Sequence, residues 1–248
     1  MSVIAVVPAR MASTRFPKKM LAPLGGEPLI IRTVRQAHKP KRVDKVLVAT
    51  DDQQIYDVVH QAGFEVCLTR RDHPSGTDRI AEAVTGTSAE LIVNLQGDEP
   101  FIDPRVVDQL VERMHQEDQP DMGSACTPIT SLAELEDPSI VKVVKDEGNR
   151  ALYFSRSVIP HCRDEPPETW LGKNIYFRHL GLYAYRSSFL EAWKSLPSHP
   201  LENVEKLEQL RALAHGYRIA MIETDQLAPG IDTPEDLKQA ETYLSAHT

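Results

Sequence analysis

Ser2 to Val7 is a short apolar run that empties at once into Pro8-Ala9-Arg10-Met11-Ala12-Ser13-Thr14-Arg15-Phe16-Pro17-Lys18-Lys19. An apolar run of this length reads as a buried strand of a parallel sheet. Open α/β sheets bind ligands outside the carboxyl ends of their strands, so Arg10, Arg15, Lys18 and Lys19 are delivered to a ligand edge. Pro8 and Pro17 stiffen the loop, while its Ala, Ser and Thr residues let backbone approach a ligand closely. In a chain of formal net charge −8, cations gathered there point to a strongly anionic ligand, a triphosphate first among them. A solvated basic loop is the competing reading.

The pattern continues in the same style through the first half. Lys45 to Thr50 (KVLVAT) reads as a strand ending in Asp51-Asp52, followed by a helix from Gln53 to Gln61. Glu65 to Leu68 is a short strand, Thr77 to Val84 a helix, and Leu91 to Leu95 a strand opening into Gln96-Gly97-Asp98-Glu99-Pro100. Pro104 to His115 carries Val106, Val107, Leu110, Val111 and Met114 at helical spacing, with Pro in the first turn. Such alternation implies βαβ units and a mostly parallel sheet. After about residue 120 the strand-like runs 122–129, 141–144, 151–154 and 180–185 follow one another without intervening helices. They predict an antiparallel addition, roughly residues 120–190, as a substrate and dimerisation lobe within one domain spanning 1–248. His161 to Lys173 is expected to be a surface loop. A helix from Asn203 to His215, a strand at Ile219 to Glu223 and a last helix from Thr233 to Ala246 complete the expectation.

Composition narrows the function classes. At 248 residues, 41% hydrophobic and 26% charged, the chain can bury a sizeable core. The acidic balance, without a basic stripe, argues against nucleic acid or an anionic membrane as partner. No run approaches the ~20 apolar residues of a membrane span, and the N-terminal strand lacks the pattern of a secretory signal. Cys67, Cys126 and Cys162 are isolated, and the nine histidines form no HExxH, so neither a disulfide framework nor a zinc site is expected. A cytoplasmic setting follows from these features.

Neither GxxxxGK[ST] nor GxGxxG follows the first strand, so phosphates must be held by side-chain cations and loop amides. Asp98, just past a strand and preceded by Gly97, suits a hard cation bridging phosphate oxygens, or a plain turn. Asp232, in Gly230-Ile231-Asp232-Thr233-Pro234, is the best second ligand, or a helix N-cap. Mg²⁺ needs only one or two such carboxylates. Ser75-Gly76 at a helix start offers free N–H groups and room for a planar base, with Arg79 one turn on to reach a carbonyl oxygen. The same residues fit a capped helix. Arg156 and Arg178 sit at the edges of strand-like runs, where a guanidinium fork can take both oxygens of a carboxylate. His179 and Tyr183 could reach sugar hydroxyls, or belong to the core. On a continuous helix Glu202, Glu205 and Gln209 fall within ~60° of each other, with Leu207, Leu210 and Ala214 opposite. That stripe suits a polyhydroxylated ligand or bulk water.

Together PARMASTRFPKKMLAPLGGEPLI, VLVATDD, TRRDHPSGTDRIAE, VNLQGDEPFI, ALYFSRSVIP, FRHLGLYAY, LENVEKLEQLR and GIDTPEDL resemble the CMP-KDO synthetase (3-deoxy-manno-octulosonate cytidylyltransferase) family over essentially the whole chain. Met11 stands where that family usually has an aromatic residue, and Lys18 where Gly is common. The resemblance implies a Rossmann-like α/β nucleotidyltransferase with an inserted mixed or antiparallel lobe, a homodimer that joins CTP and KDO into CMP-KDO and pyrophosphate for lipopolysaccharide. It implies Arg10, Lys19, Ser75, Gly76 and Arg79 on CTP, and Asp98 and Asp232 on Mg²⁺. It implies Gln96, Arg156, Arg178, His179, Tyr183, Glu205 and Gln209 around the sugar acid. Arg10, Lys19 and Asp98 are then the catalytic groups. Two other readings are a sister enzyme for sialic acid or amino-substituted KDO, and a non-catalytic nucleotide-binding protein.

Overall fold

The computed structural model describes residues 2–12, 15–226 and 229–246, so Ser13 and Thr14 of the N-terminal loop lie outside the described residues. In chain order the elements are β1 Val3–Ala9, β2 Pro23–Leu24, β3 Glu27–Pro28, α1 Leu29–Ala37, β4 Lys45–Thr50, α2 Gln53–Gln61, β5 Val66–Leu68, α3 Gly76–Ala83, β6 Leu91–Asn94 and α4 Pro104–Met114. They continue as β7 Met122–Pro128, α5 Leu132–Glu136, β8 Lys142–Lys145, β9 Ala151–Ser155, β10 Phe177–Arg186, α6 Ser187–Trp193, α7 Pro200–Glu205, α8 Gln209–Ala214, β11 Ile219–Glu223 and α9 Pro234–Ala246. Two compact units result: Met1–Asp108 with Leu227–Thr248, and Gln109–Gln226.

In the first unit β1 pairs in parallel with β6 on one side and β4 on the other, and β4 pairs in parallel with β5. Ala5, Val6 and Val7 have no exposed surface, as a strand between two others requires. Ile80, Ala81 and Val84 are buried along one side of the α3 segment. Each fully buried Val or Ile contributes roughly 1.5–3 kcal/mol. α1, which the strand–helix pattern did not single out, buries Leu29, Ile30, Ile31 and Val34.

In the second unit β7 runs parallel to β11 and antiparallel to β10. β8 lies between β10 and β9, antiparallel to both. The antiparallel pairings of β8, β9 and β10 follow the expectation, but the absence of intervening helices does not: α5, capped by the Ser131 hydroxyl, lies between β7 and β8. The segment expected as a surface loop carries a 3-10 turn at Pro167–Lys173, with no buried residue.

The helix expected from Asn203 to His215 is two short ones, and this is a correction. α7 ends at Lys206, which adopts a left-handed φ of 57°, and α8 starts afresh at Gln209. The cause is a buried ion pair. Arg211 reaches both carboxylate oxygens of Glu202, at 2.7 and 2.5 Å, and lies 4.3 Å from the centre of the Trp193 ring. Residues nine apart on a continuous helix point to opposite faces, so the pair can close only if the chain folds back between them. Leu207 and Leu210 are buried as expected, but Ala214 is exposed and Ala212 takes the inner position.

Candidate active site

The loop after β1 meets two others in the first unit. Gly97 makes that approach possible: a Cβ there would lie 3.0 Å from both the Pro8 carbonyl oxygen and the Met20 sulfur. Thr33 of α1 donates to the Gly97 carbonyl at 2.8 Å and pins the turn. The Ile231 amide donates to the Asp98 carbonyl at 2.9 Å, which draws the 230–232 segment beside Asp98.

Asp98 and Asp232 therefore converge. The Lys19 ammonium, 6% exposed as a residue, lies 2.6 Å from Asp98 Oδ2 and 3.1 Å from Asp232 Oδ1. Arg15 adds an exposed pair to Asp232 at 3.0 Å. Asp232 is not the cap of α9: Thr233 Oγ1 accepts from the Asp236 amide, and Asp236 accepts from the Thr233 amide in return. Lys18, one residue before Lys19, is exposed in a left-handed conformation. No group of three or more His, Cys, Asp or Glu side chains poised for a metal occurs among the described residues. Two converging carboxylates fit Mg²⁺, which usually completes its octahedron with water and phosphate oxygens.

Arg10 donates to the His73 carbonyl at 3.3 Å, just ahead of the α3 N-terminus. Ser75 caps α3: its hydroxyl accepts from the Asp78 amide at 3.2 Å and donates to the Asp78 carboxylate at 2.6 Å. At Gly76 a Cβ would meet nothing within 4 Å, so open space borders the helix start. Arg79 differs from expectation. It has no exposed surface, and its guanidinium is committed to Thr69 Oγ1 and, at 2.8 Å, to Asp51 Oδ2, leaving Nε without a partner. Its fork holds the ends of β4 and β5 to α3 and is not turned outward toward a base. Gln96, also in this unit, approaches Asn94 Oδ1 at 3.4 Å.

The remaining expected residues lie in the second unit. Glu205 closes the end of β9, accepting from Ser155 Oγ at 2.6 Å and from the Arg156 amide at 3.0 Å. The Arg156 side chain donates from Nε to the Glu205 carbonyl and from Nη1 to the Pro138 carbonyl, at 2.9 and 3.1 Å. Arg178, half-buried on β10, pairs with Glu134 of α5 at 3.1 Å. Both arginines thus flank α5 and the turn after it. His179 Nε2 lies 2.9 Å from Ser124 Oγ, and its ring packs against Phe154 and Tyr183 at 4.9 and 5.4 Å. Burial pushes its pKa down to about 3, so the imidazole is neutral. Tyr183 donates to Gln209 Oε1 at 3.3 Å, while Gln209 Nε2 is buried without a partner. Sequence reading missed Asp51, Thr69, Ser124 and Glu134; each touches an expected residue only through long-range packing.

A parallel α/β sheet with cations and paired carboxylates at its ligand edge marks a nucleotidyltransferase, and the chain belongs to the cytidylyltransferase family, whose model matches residues 4–219. Within it, the chain is 47% identical to a 3-deoxy-manno-octulosonate cytidylyltransferase of Syntrophotalea carbinolica, covering 98% of this chain and 99% of that one. It is 48% identical to a protein of the same name from Wolinella succinogenes, over 95% of this chain and 96% of that one. A solved CMP:2-keto-3-deoxy-manno-octonic acid synthetase complexed with CTP superposes with a TM-score of 0.94 at 38% identity, covering 100% of both chains. A cytidylyltransferase from Leptospira borgpetersenii shares the fold, with a TM-score of 0.65 at 18% identity, over 99% of this chain and 87% of that one.

Proposed function

We propose that this protein transfers the CMP moiety of CTP to the anomeric hydroxyl of KDO, releasing pyrophosphate and giving an activated sugar for lipopolysaccharide. The observation that carries the chemistry is the convergence of Asp98 and Asp232 on the Lys19 ammonium beside the β1 loop. Near full-length identity to 3-deoxy-manno-octulosonate cytidylyltransferases supports the choice of sugar.

In-line attack on an α-phosphorus requires positioning and charge neutralisation more than covalent chemistry by the protein. Asp98 and Asp232 would hold Mg²⁺, which when bound polarises the α-phosphoryl group. Arg10 and Lys19 neutralise the triphosphate and the leaving pyrophosphate. Gly76 leaves space for the base at the α3 N-terminus, whose cap Ser75 fixes, and Arg79 holds that helix start in place.

In the second unit Arg156 and Arg178 recognise the sugar carboxylate. Neutral His179, with Tyr183 and Gln209, meets the hydroxyls. Glu205 holds the β9 end that carries Arg156. The same reading places the enzyme in the cytoplasm, and no helix among the described residues is long and apolar enough to cross a membrane. It also makes the enzyme a homodimer, a reading that exposed Leu152, Leu201 and Val204 of the second unit support. A pyrophosphate-release assay across four nucleoside triphosphates and a panel of acidic sugars tests the assignment. CTP with KDO is expected to give the highest kcat/KM, and higher turnover with sialic acid or amino-substituted KDO would move the chain to a sister activity.

A further inference from the structure

The first residue of β8 is a lysine with no exposed surface, an unusual place for an ammonium. Lys142 pairs in register with Ser155 of β9 on one side and with Arg178 of β10 on the other. It thus lies between the two strands that carry the carboxylate-binding arginines. Its three N–H donors end on backbone carbonyls: Asp137 at 2.9 Å, Ile140 at 2.7 Å and Arg156 at 2.5 Å. The carbonyl between the first two, that of Pro138, receives Arg156 Nη1. The turn after α5 and the end of β9 are therefore knitted together by two cations, and one of them is Arg156 itself.

We propose that Lys142 is a positioning residue for sugar-acid recognition, holding the Arg156 carbonyl and the Asp137–Ile140 turn so that the Arg156 fork is set before the sugar carboxylate arrives. This rests on the reading that places Arg156 at that carboxylate. Burying an ammonium is costly, and an apolar side chain of similar length often serves stability as well or better. What the ammonium supplies here is direction, because three carbonyls from two segments can share one donor group only in one arrangement. Pre-setting a binding group lowers the ordering cost that the ligand must otherwise meet.

The test is a double-mutant cycle of Lys142→Met and Arg156→Ala, with Lys142→Gln as a milder variant that keeps two N–H donors. Full-length protein is assayed for pyrophosphate release over a range of KDO, with CTP binding by calorimetry. Lys142→Met is expected to raise KM for KDO about tenfold, leaving kcat and CTP affinity within about twofold, with Lys142→Gln intermediate. In the Arg156→Ala background Lys142→Met should add nothing further. Unchanged KM for KDO in folded Lys142→Met or Lys142→Gln overturns the proposal, as does a full additional loss in the double variant. Loss of folding in both variants also overturns it, since it assigns the ammonium to stability. If Arg156→Ala alone leaves KDO use intact, the reading of the sugar site fails instead.

Discussion

Replacing Asp98 by Asn removes one negative charge from the paired carboxylates and almost nothing else. The backbone bond from the Ile231 amide to the Asp98 carbonyl is untouched, and an Asn side-chain oxygen can still accept from Lys19. The ammonium also keeps Asp232 at 3.1 Å. The structural cost is then the difference between a charge-assisted and a neutral hydrogen bond, about 1 kcal/mol, worth roughly 2–4 °C in melting temperature for a chain of this size. On the proposed assignment of Asp98 to the metal site the catalytic cost is larger, because the lost charge would act at the reacting phosphate. Electrostatic groups of this kind contribute about two to three orders of magnitude in kcat, or roughly 3–4 kcal/mol. The assay is pyrophosphate release at saturating CTP, KDO and Mg²⁺, beside a thermal melt. Near-native turnover would remove Asp98 from the metal site, and a melting loss of tens of degrees would make it a structural residue.

Gly76→Ala should leave the melting temperature unchanged or slightly higher, since a Cβ there meets no protein atom, while raising KM for CTP severalfold. Steady-state kinetics beside a melt separate the two effects. Arg178→Ala should weaken sugar-acid use by several kcal/mol while leaving CTP affinity nearly intact, because a carboxylate loses its charged partner. A parallel fall in CTP binding, measured by calorimetry, would assign Arg178 to the nucleotide site or the fold. His179 is neutral when folded, with its pKa at about 3, whereas the unfolded chain binds a proton near pH 6.5. Stability from this group is therefore full above ~6.5 and lost as pH falls, by about 1.4 kcal/mol per unit. His179→Gln should flatten the fall in urea-derived stability between pH 7 and pH 5; an unchanged slope would refute the assignment.

The apolar runs of the first unit predict β1, β4 and β6 nearly to the residue, because a strand buried on both faces leaves a continuous hydrophobic signature. α1 escaped notice: Leu29-Ile30-Ile31 is itself a continuous run, in which a helical period cannot show. The Asn203–His215 helix failed for another reason, since local periodicity carries no sign of the Glu202–Arg211 pair that bends the chain. At the site, Asp98 and Asp232 were each identifiable from their turns. Their meeting depends on the Ile231–Asp98 backbone bond, which joins distant segments. Arg79 looked like a ligand-facing cation because Asp51 and Thr69, its hydrogen-bond partners, follow separate strands. Lys142 was not singled out for a related reason: the run 141–144 reads only as strand-like, and only the fold supplies three carbonyls to its lysine.

The central claim is one phosphoryl transfer between two named substrates, and phosphorus NMR observes it directly. With CTP, KDO, Mg²⁺ and the protein together, the account predicts loss of the CTP α, β and γ signals with matched growth of a phosphodiester resonance and a pyrophosphate resonance of twice its area, and no reaction when KDO is withheld. Appearance of free CMP or CDP at the same rate without KDO, or an unchanged CTP spectrum in its presence, would contradict it.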